Sequence, residues 1–232
     1  MVKYLGGKAK LSKYIVQEIN QRRLPGQYYV EPFVGAGHVF EKVDNPRFGF
    51  DIDPYIIAYL ASVRDGWLPD PHLDEETHYR VKANPEEYHP AFVAHVKYGC
   101  SWGGKPWGGF ARSNTGRDYA NEAYRAAQKQ HAKLQGAYLR AVSYENIEPE
   151  NCIIYCDPPY NGTTGYENSI DHDAFWQKMR EWSQNNTVLI SEYTAPEDFV
   201  SVWERQVSTF KSTGSKKETE KLFIYCGVAN AK

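Results

Sequence analysis

The apolar residues of this chain change period several times along its length, and each change marks an element. Between Lys10 and Arg23, Leu11, Tyr14, Ile15 and Ile19 recur at helical spacing, and Pro25-Gly26 end the pattern. Tyr28 to Val30 form a short strand pattern, broken by Pro32 and opened by Gly35 and Gly37. RFGFDID, residues 47–53, predicts a second strand, and PYIIAYLASVRDG a helix with Pro54 at its first position and Gly66 past its end. A strand, a glycine turn, a second strand and a helix open a parallel α/β sheet. From 67 to 141 this rhythm stops, leaving helical stretches at 85–98 and 119–136 around a loop, SWGGKPWGGFARSNTG. Strands return at AYLRAVSY and ENCIIYC, followed by helix DHDAFWQKMREWS, strand TVLIS, helix PEDFVSVWERQ, and strands around VSTF and KLFIYCGV joined by a hairpin through KSTGSKKETE. The expected organisation is one α/β domain, residues 1–66 and 142–232, interrupted by an inserted, mainly helical segment, 67–141.

Composition narrows this picture. The 232 residues are 41% hydrophobic and 15% aromatic, enough for a sizeable core, and no stretch approaches the ~18 apolar residues of a membrane span. Lysines but no apolar core occupy the amino terminus, so no secretory leader is expected, and four scattered cysteines predict reduced thiols in a cytoplasmic protein. The seven histidines show no metal-ligand spacing, and no metal is expected. The formal net charge of −2 hides an uneven distribution, with residues 65–91 carrying seven acids against two bases and residues 95–141 eight bases against two acids. Such segregation suits either a face turned to a polyanion or the opposite sides of a solvated helical region.

Two predicted strand ends carry unusual chemistry, at the place where open α/β sheets bind ligands. EPFVGAG offers the first two glycines of a dinucleotide turn, but Phe40 stands where a third would be needed, and Asp51 follows Gly37 by only 14 residues. The loop still admits close backbone approach, and Asp51 at the end of the next strand can accept from a ribose diol. The second end is IIYCDPPY. A residue before proline is held extended, so Asp157 continues its strand; Pro158 and Pro159 stiffen the exit and remove donors. The result is a corner of acceptors only, the Asp157 side chain and the Pro158 carbonyl, beside the ring of Tyr160. That corner fits a planar ligand bearing an amino group, adenine among them, whose nitrogen becomes a better nucleophile when both N–H bonds are held.

With these motifs the chain resembles the Dam-type (D12 class) DNA N6-adenine methyltransferases. KYLGGKAKL (3–11), EPFVGAG (31–37), FDID (50–53) and IIYCDPPY (153–160) match that family's motifs in its order, and VKYGCSWGGKPWGGFARSN (96–114) resembles its target-recognition insertion more loosely. The resemblance implies a Rossmann-like S-adenosylmethionine-dependent methyltransferase fold with a mostly parallel sheet, a carboxy-terminal antiparallel hairpin, and residues 67–141 as the DNA-binding insertion. It implies S-adenosyl-L-methionine as methyl donor. Tyr4, Phe33, Gly35 and Gly37 would line the cofactor cleft, Lys8 would hold its methionine carboxylate, Asp51 its ribose, and Asp157 would lie between cofactor and target amine. Double-stranded DNA is the implied partner of a cytoplasmic enzyme of bacterial, phage or mobile-element origin, with a monomer or at most a weak dimer expected and no membrane involved.

A base inside a duplex cannot present its amine to such a corner and must be turned out, at a cost of a few kcal/mol. An aromatic stack returns about 1–3 kcal/mol and a hydrogen bond to a charged acceptor about 1.5–3, so Tyr160 and Asp157 together roughly offset extrusion. For the DNA itself the expected contacts are Arg112 and Asn114 to base edges, and Arg117, Lys129 and Lys133 to phosphates. Lys3, by resemblance, and Lys211, Lys216 and Lys217 of the hairpin are further candidates. Trp107 or Phe110 is placed either as a wedge in the stack or in loop packing, and residues 161–172 as a segment closing over the base. N4-cytosine methylation, glutamine-amide methylation, a non-catalytic DNA-binding regulator and a nicotinamide oxidoreductase stay open as alternatives.

Overall fold

The computed structural model describes residues 4, 6–160, 170–211 and 214–227, with the side chains of 208–217 outside that description. Lys3, most of the 161–172 segment, and the side chains of Lys211, Lys216 and Lys217 therefore lie outside the described residues.

A seven-stranded sheet organises the chain in the order β3-β2-β1-β4-β5-β7-β6. Its parallel part comprises β1 (Tyr29–Glu31), β2 (Arg47–Asp51), β3 (Tyr138–Ala141), β4 (Ile153–Cys156) and β5 (Thr187–Glu192). β6 (Phe199–Lys211) and β7 (Gly214–Tyr225) form a long hairpin, and β7 runs antiparallel to β5. This is the expected mostly parallel, Rossmann-like α/β class with an antiparallel carboxy-terminal hairpin.

Alternation along the strands divides the core. Tyr29, Ile153, Tyr155 and Leu189 face a layer built from Ile15 and Ile19 of α1 (Ser12–Arg22), Leu60 of α2 (Pro54–Arg64) and Ala127 and Leu134 of α5 (Tyr119–Leu134). Val30, Ile154, Cys156, Val188 and Ile190 face the other way, against Phe175, Met179 and Trp182 of α6 (His172–Trp182). Full burial of each large side chain contributes about 1.5–3 kcal/mol, which is why the near-continuous apolar runs become central strands.

Three elements differ from expectation. PEDFVSVWERQ, expected as a helix, instead opens β6, because Val200, Val202 and Val207 favour a pleated surface and β7 supplies a partner along the whole length. The expected 85–98 helix is cut into a turn at Pro85–Glu87, a short α4 (Pro90–Ala94) and a π-turn at His95–Gly99, since Pro90 fits only a first helical turn. Ahead of it lies α3 (Glu75–Ala83), hidden from the periodicity inside the acidic run and started by Asp74, whose side chain accepts from Thr77 N at 2.7 Å.

The 67–141 segment also divides. α5 joins the sheet layer, with Gln130 Nε2 donating to Ala36 O at 2.9 Å and His131 bonded to Val63 O at 2.8 Å, and β3 pairs with β2. The part standing off the sheet runs from 67 to about 118, with its own small core of Val81, Val93 and Val96.

Candidate active site

β1 and β4 are neighbours, while the chain proceeds from β1 toward β2 on one side and from β4 toward β5 on the other. The crevice of an open sheet falls at such a reversal. A cleft of about 210 Å³ lies there, lined by the glycine turn after β1, by Asp51, Ile52 and Asp53 after β2, by Asp157 and Pro159 after β4, and by Tyr4, Gly6, Gly7 and Lys8 from the amino-terminal segment. Both motif ends singled out in the sequence thus open into one space.

The glycine turn is tied down from two sides. Gly35 N donates to Asp51 Oδ2 at 2.9 Å, and Val34 N to Phe50 O at 2.8 Å. Gly35 and Gly37 have φ of +46° and +75°, the left-handed region that disfavours a side chain. The Tyr4 ring covers Gly35 so closely that a Cβ there would lie 3.0 Å from it. Phe33 lines the cleft and stacks in a tilted arrangement on Tyr144, ring centroids 5.1 Å apart.

Asp51 is buried, and its other oxygen accepts from Asp53 N at 3.0 Å. Burial pushes its carboxyl up to about 6 against these backbone N–H bonds. Asp53 begins α2 by accepting from Tyr55 N at 2.8 Å, and its second oxygen takes Lys97 Nζ at 3.2 Å together with the Tyr98 hydroxyl. Lys97 is thereby buried and withdrawn from the basic face it seemed to join in the sequence. In exchange it fastens the inserted segment to the floor of the cleft.

Asp157 directly follows β4, its side chain 18% exposed and lining the cleft. Lys8 Nζ lies 2.8 Å from Asp157 Oδ1, 3.2 Å from Glu220 Oε1 and 4.5 Å from the centroid of the Tyr160 ring. Burial pushes the Asp157 carboxyl up to about 6, with Lys8 opposing the rise and Glu220 adding to it. Tyr160 is buried, donates its hydroxyl to Glu220 and meets Tyr193 edge-on at 4.8 Å. Lys8, expected at the methionine end of a cofactor, is therefore paired in this structure with the acceptor corner itself.

Several cleft residues escaped the sequence reading. Glu31 is buried with only Oε2 taken, by the Tyr29 hydroxyl at 2.6 Å, and burial raises its carboxyl well above the ordinary range. Ile52 is an exposed apolar side chain, 55%, in the cleft wall, and His38 is held down to about 4 by burial. The acidic letter of EPFVGAG was a usable signal for Glu31; nothing local marked Glu220.

The expected DNA contacts are dispersed. Arg112 forms a forked pair with Glu75, and Arg117 one with Glu122 at 2.8 Å, so part of the charge segregation along the chain is folded into cross-pairs. Asn114 and Lys129 are exposed. Lys133 bonds Glu41 at 2.9 Å, and its carbonyl accepts from Arg47 at the start of β2, the end of the strand away from the cleft. Trp107 packs among His78, Val81, Val93 and Val96, and Phe110 lies against His78 at 5.8 Å. Trp102 of that loop is 60% exposed, with the Lys105 ammonium over its ring, and Pro106 of the same loop lines the cleft.

The arrangement fits an amino-acid nucleoside carrying a sulfonium. Glu31 and Asp157 supply negative charge for ammonium and sulfonium, Lys8 a cation for a carboxylate, the glycine turn close backbone approach, and Ile52 and Phe33 apolar area for a flat base. Among the described residues no group of three or more metal-binding side chains occurs, and no helix is long and apolar enough to cross a membrane.

Parts of the chain are similar to known proteins. DNA adenine methylases of Salmonella typhi and Escherichia coli (strain K12) are 28% and 27% identical over 191 and 190 residues, covering 68% of this chain. The chain spans 64% of the length of these relatives. Among solved structures, an rRNA methyltransferase from Streptomyces viridochromogenes superposes with a TM-score of 0.46 at 12% identity, covering 97% of this chain and 87% of that one. The family model of the D12 class N6 adenine-specific DNA methyltransferases matches residues 4–98, which include Lys8, the glycine turn, Asp51 and Lys97. Over residues 4–98 the chain is thus similar to the D12 class N6 adenine-specific DNA methyltransferases.

Proposed function

We propose that the protein transfers a methyl group from S-adenosyl-L-methionine to N6 of an adenine turned out of duplex DNA. The observation that carries this reading is the opening of the Asp157 corner and the Gly35–Asp51 turn into one cleft across neighbouring strands. S-adenosyl-L-methionine, when bound, supplies a methyl group made electrophilic by its sulfonium. Glu31 and Lys8 would hold its ammonium and carboxylate, and Asp51 would accept from the ribose while keeping Gly35 in place. Ile52 and Phe33 would flank its base.

Asp157 and the Pro158 carbonyl would accept the two N–H bonds of the target amine and hold its lone pair toward the methyl group. As the N–C bond forms, the methyl group's bond to sulfur would break to leave the neutral thioether, and the surplus amine proton would pass by way of the Asp157 carboxylate to water. For this the Asp157 carboxylate must be free of Lys8, so departure of Lys8 toward the cofactor's carboxylate clears the acceptor. Tyr160 then offers its ring to the turned-out base, a stack contributing about 1–3 kcal/mol toward extrusion. On the DNA side, Arg112, Asn114, Arg117 and Lys129 belong to the footprint, with Trp102 at the rim near the duplex. Lys133 is left out of it because its partners lie at the far end of β2.

The test is incubation with genomic DNA and methyl-labelled S-adenosyl-L-methionine, followed by digestion to nucleosides. Label in N6-methyladenosine supports the reading; label in N4-methylcytidine moves the reaction to the other amine, and no label in DNA overturns it.

A further inference from the structure

Glu220 is a buried carboxylate at the sheet's carboxyl edge for which the proposed reaction has no use. It lies on β7 just beyond the β5–β7 pairing that ends at Glu192 and Lys221, opposite Arg205 of β6, and is 4% exposed. A buried carboxylate is costly unless its partners compensate it. Its partners all belong to the acceptor corner. Glu220 Oε1 accepts the Tyr160 hydroxyl and lies 3.2 Å from Lys8 Nζ, and the same ammonium lies 2.8 Å from Asp157 Oδ1. One ammonium from the amino-terminal segment is thus shared between two carboxylates, one following β4 and one on β7.

Resting on the methylation reading above, we propose that Glu220 is a positioning residue for transfer: it anchors Tyr160 and takes a share of Lys8, fixing ring and acceptor relative to each other. The Tyr160 ring also meets the edge of Tyr193 and lies under the Lys8 ammonium. A bond from the hydroxyl to a sheet residue converts a turn side chain into part of the rigid scaffold. By drawing Lys8 as well, Glu220 gives the ammonium a second resting place, so that the Asp157 oxygen can exchange it for the amine.

The groups facing Asp157 are Lys8 from the amino-terminal segment, Glu220 from β7, Tyr160 from its own turn, Tyr155 and Cys156 from β4, and Glu31 from β1. Those facing Glu220 are Lys8, Asp157, Tyr160, Tyr155 and Tyr193. Removing the Glu220 charge while keeping its shape takes away a contribution that raises the Asp157 carboxyl.

The experiment is single-turnover methylation of duplex DNA across pH by wild type, Glu220→Ala, Glu220→Gln and each of these combined with Tyr160→Phe. Glu220→Ala is expected to slow transfer about 10–100-fold, with the dissociation constant for S-adenosylhomocysteine changed less than about threefold. Glu220→Gln, which keeps an acceptor for the hydroxyl, recovers most of that rate and moves the acidic limb down by about half a pH unit or more. In the Tyr160→Phe background the alanine effect shrinks, because the bond it breaks is already gone. Wild-type rates in Glu220→Ala, or equal losses in both variants with an unmoved pH profile, overturn the proposal. Should wild type methylate no DNA, the methylation reading fails by itself, and the coupling is then read from the carbon-13 titration of the Asp157 carboxyl. A lower midpoint in Glu220→Gln supports it; an unchanged midpoint overturns it.

Discussion

Asp51 ends β2 and Asp157 follows β4, on either side of β1, and burial pushes both carboxyls up to about 6. Their partners differ in kind. Asp51 accepts from two backbone N–H groups, Gly35 and Asp53, which cannot leave without unmaking the turn. Asp157 is held by the ammonium of Lys8, which swings on a long side chain from the amino terminus. One carboxylate is therefore scaffold that also faces a ligand, and the other is an acceptor whose present partner can be exchanged. The same burial serves binding geometry in one place and chemistry in the other.

The largest effect that breaks this comparison is Asp157→Ala. Methyl transfer should fall at least about a thousandfold, the scale seen when a preorganised transition-state contact is removed. S-adenosylhomocysteine affinity measured by calorimetry should change far less. Retained turnover would sink the assignment. Asp51→Ala should do the reverse: the Gly35 N–H loses its acceptor at a cost of about 1–3 kcal/mol, which lowers the melting temperature by several degrees and weakens cofactor binding, whatever the effect on turnover at saturation. Asp157→Asn, by contrast, should leave melting unchanged or raise it by a few degrees, because it removes a charge that burial disfavours.

Titration sharpens the contrast further. A target amine needs the ionised Asp157, so activity at saturating cofactor should fall as pH drops through about 6. The stability contribution of the two carboxyls has the opposite sign. Their folded-state values lie above the ordinary aspartate value of 3.8, so the folded protein binds their protons first. These two groups stabilise the fold increasingly as pH falls from above 6 toward 4, and Asp51→Asn with Asp157→Asn should flatten that part of a melting-temperature profile. The smallest effect is expected at the exposed pairs. Neutralising Arg117 and Lys129 should weaken DNA binding and lower its salt slope by about one to two, while costing at most about 1 kcal/mol of stability. An unchanged salt slope places the duplex elsewhere.

The candidate site was legible to different depths in its different parts. YCDPPY could be read as an acceptor corner because two prolines dictate local geometry whatever surrounds them, and EPFVGAG as a turn because its glycines adopt positive φ. PEDFVSVWERQ was misread because its apolar spacing suits a helix nearly as well as a strand; only pairing with β7 decides. Lys97 shows the limit for charge: counted as part of a basic face, it is buried against Asp53, and Arg112 and Arg117 are similarly paired with acids. Glu220 could not have been found, since its significance lies wholly in what the hairpin brings beside it.

The sequence by itself determined the local corners: the acceptor corner at Asp157 and its two prolines, the open turn at Gly35 and Gly37, the helix start at Pro54, and the order in which these occur. Those are short-range consequences of ring constraints and missing side chains, and they survive in any surroundings. Tertiary structure alone decided which corners meet. Neighbouring β1 and β4 join the two motifs in one cleft, and the β7 hairpin delivers Glu220 to Tyr160 and Lys8. Strand order and long-range ion pairs depend on which surfaces bury one another, and that information is spread over the whole chain rather than written at any one position.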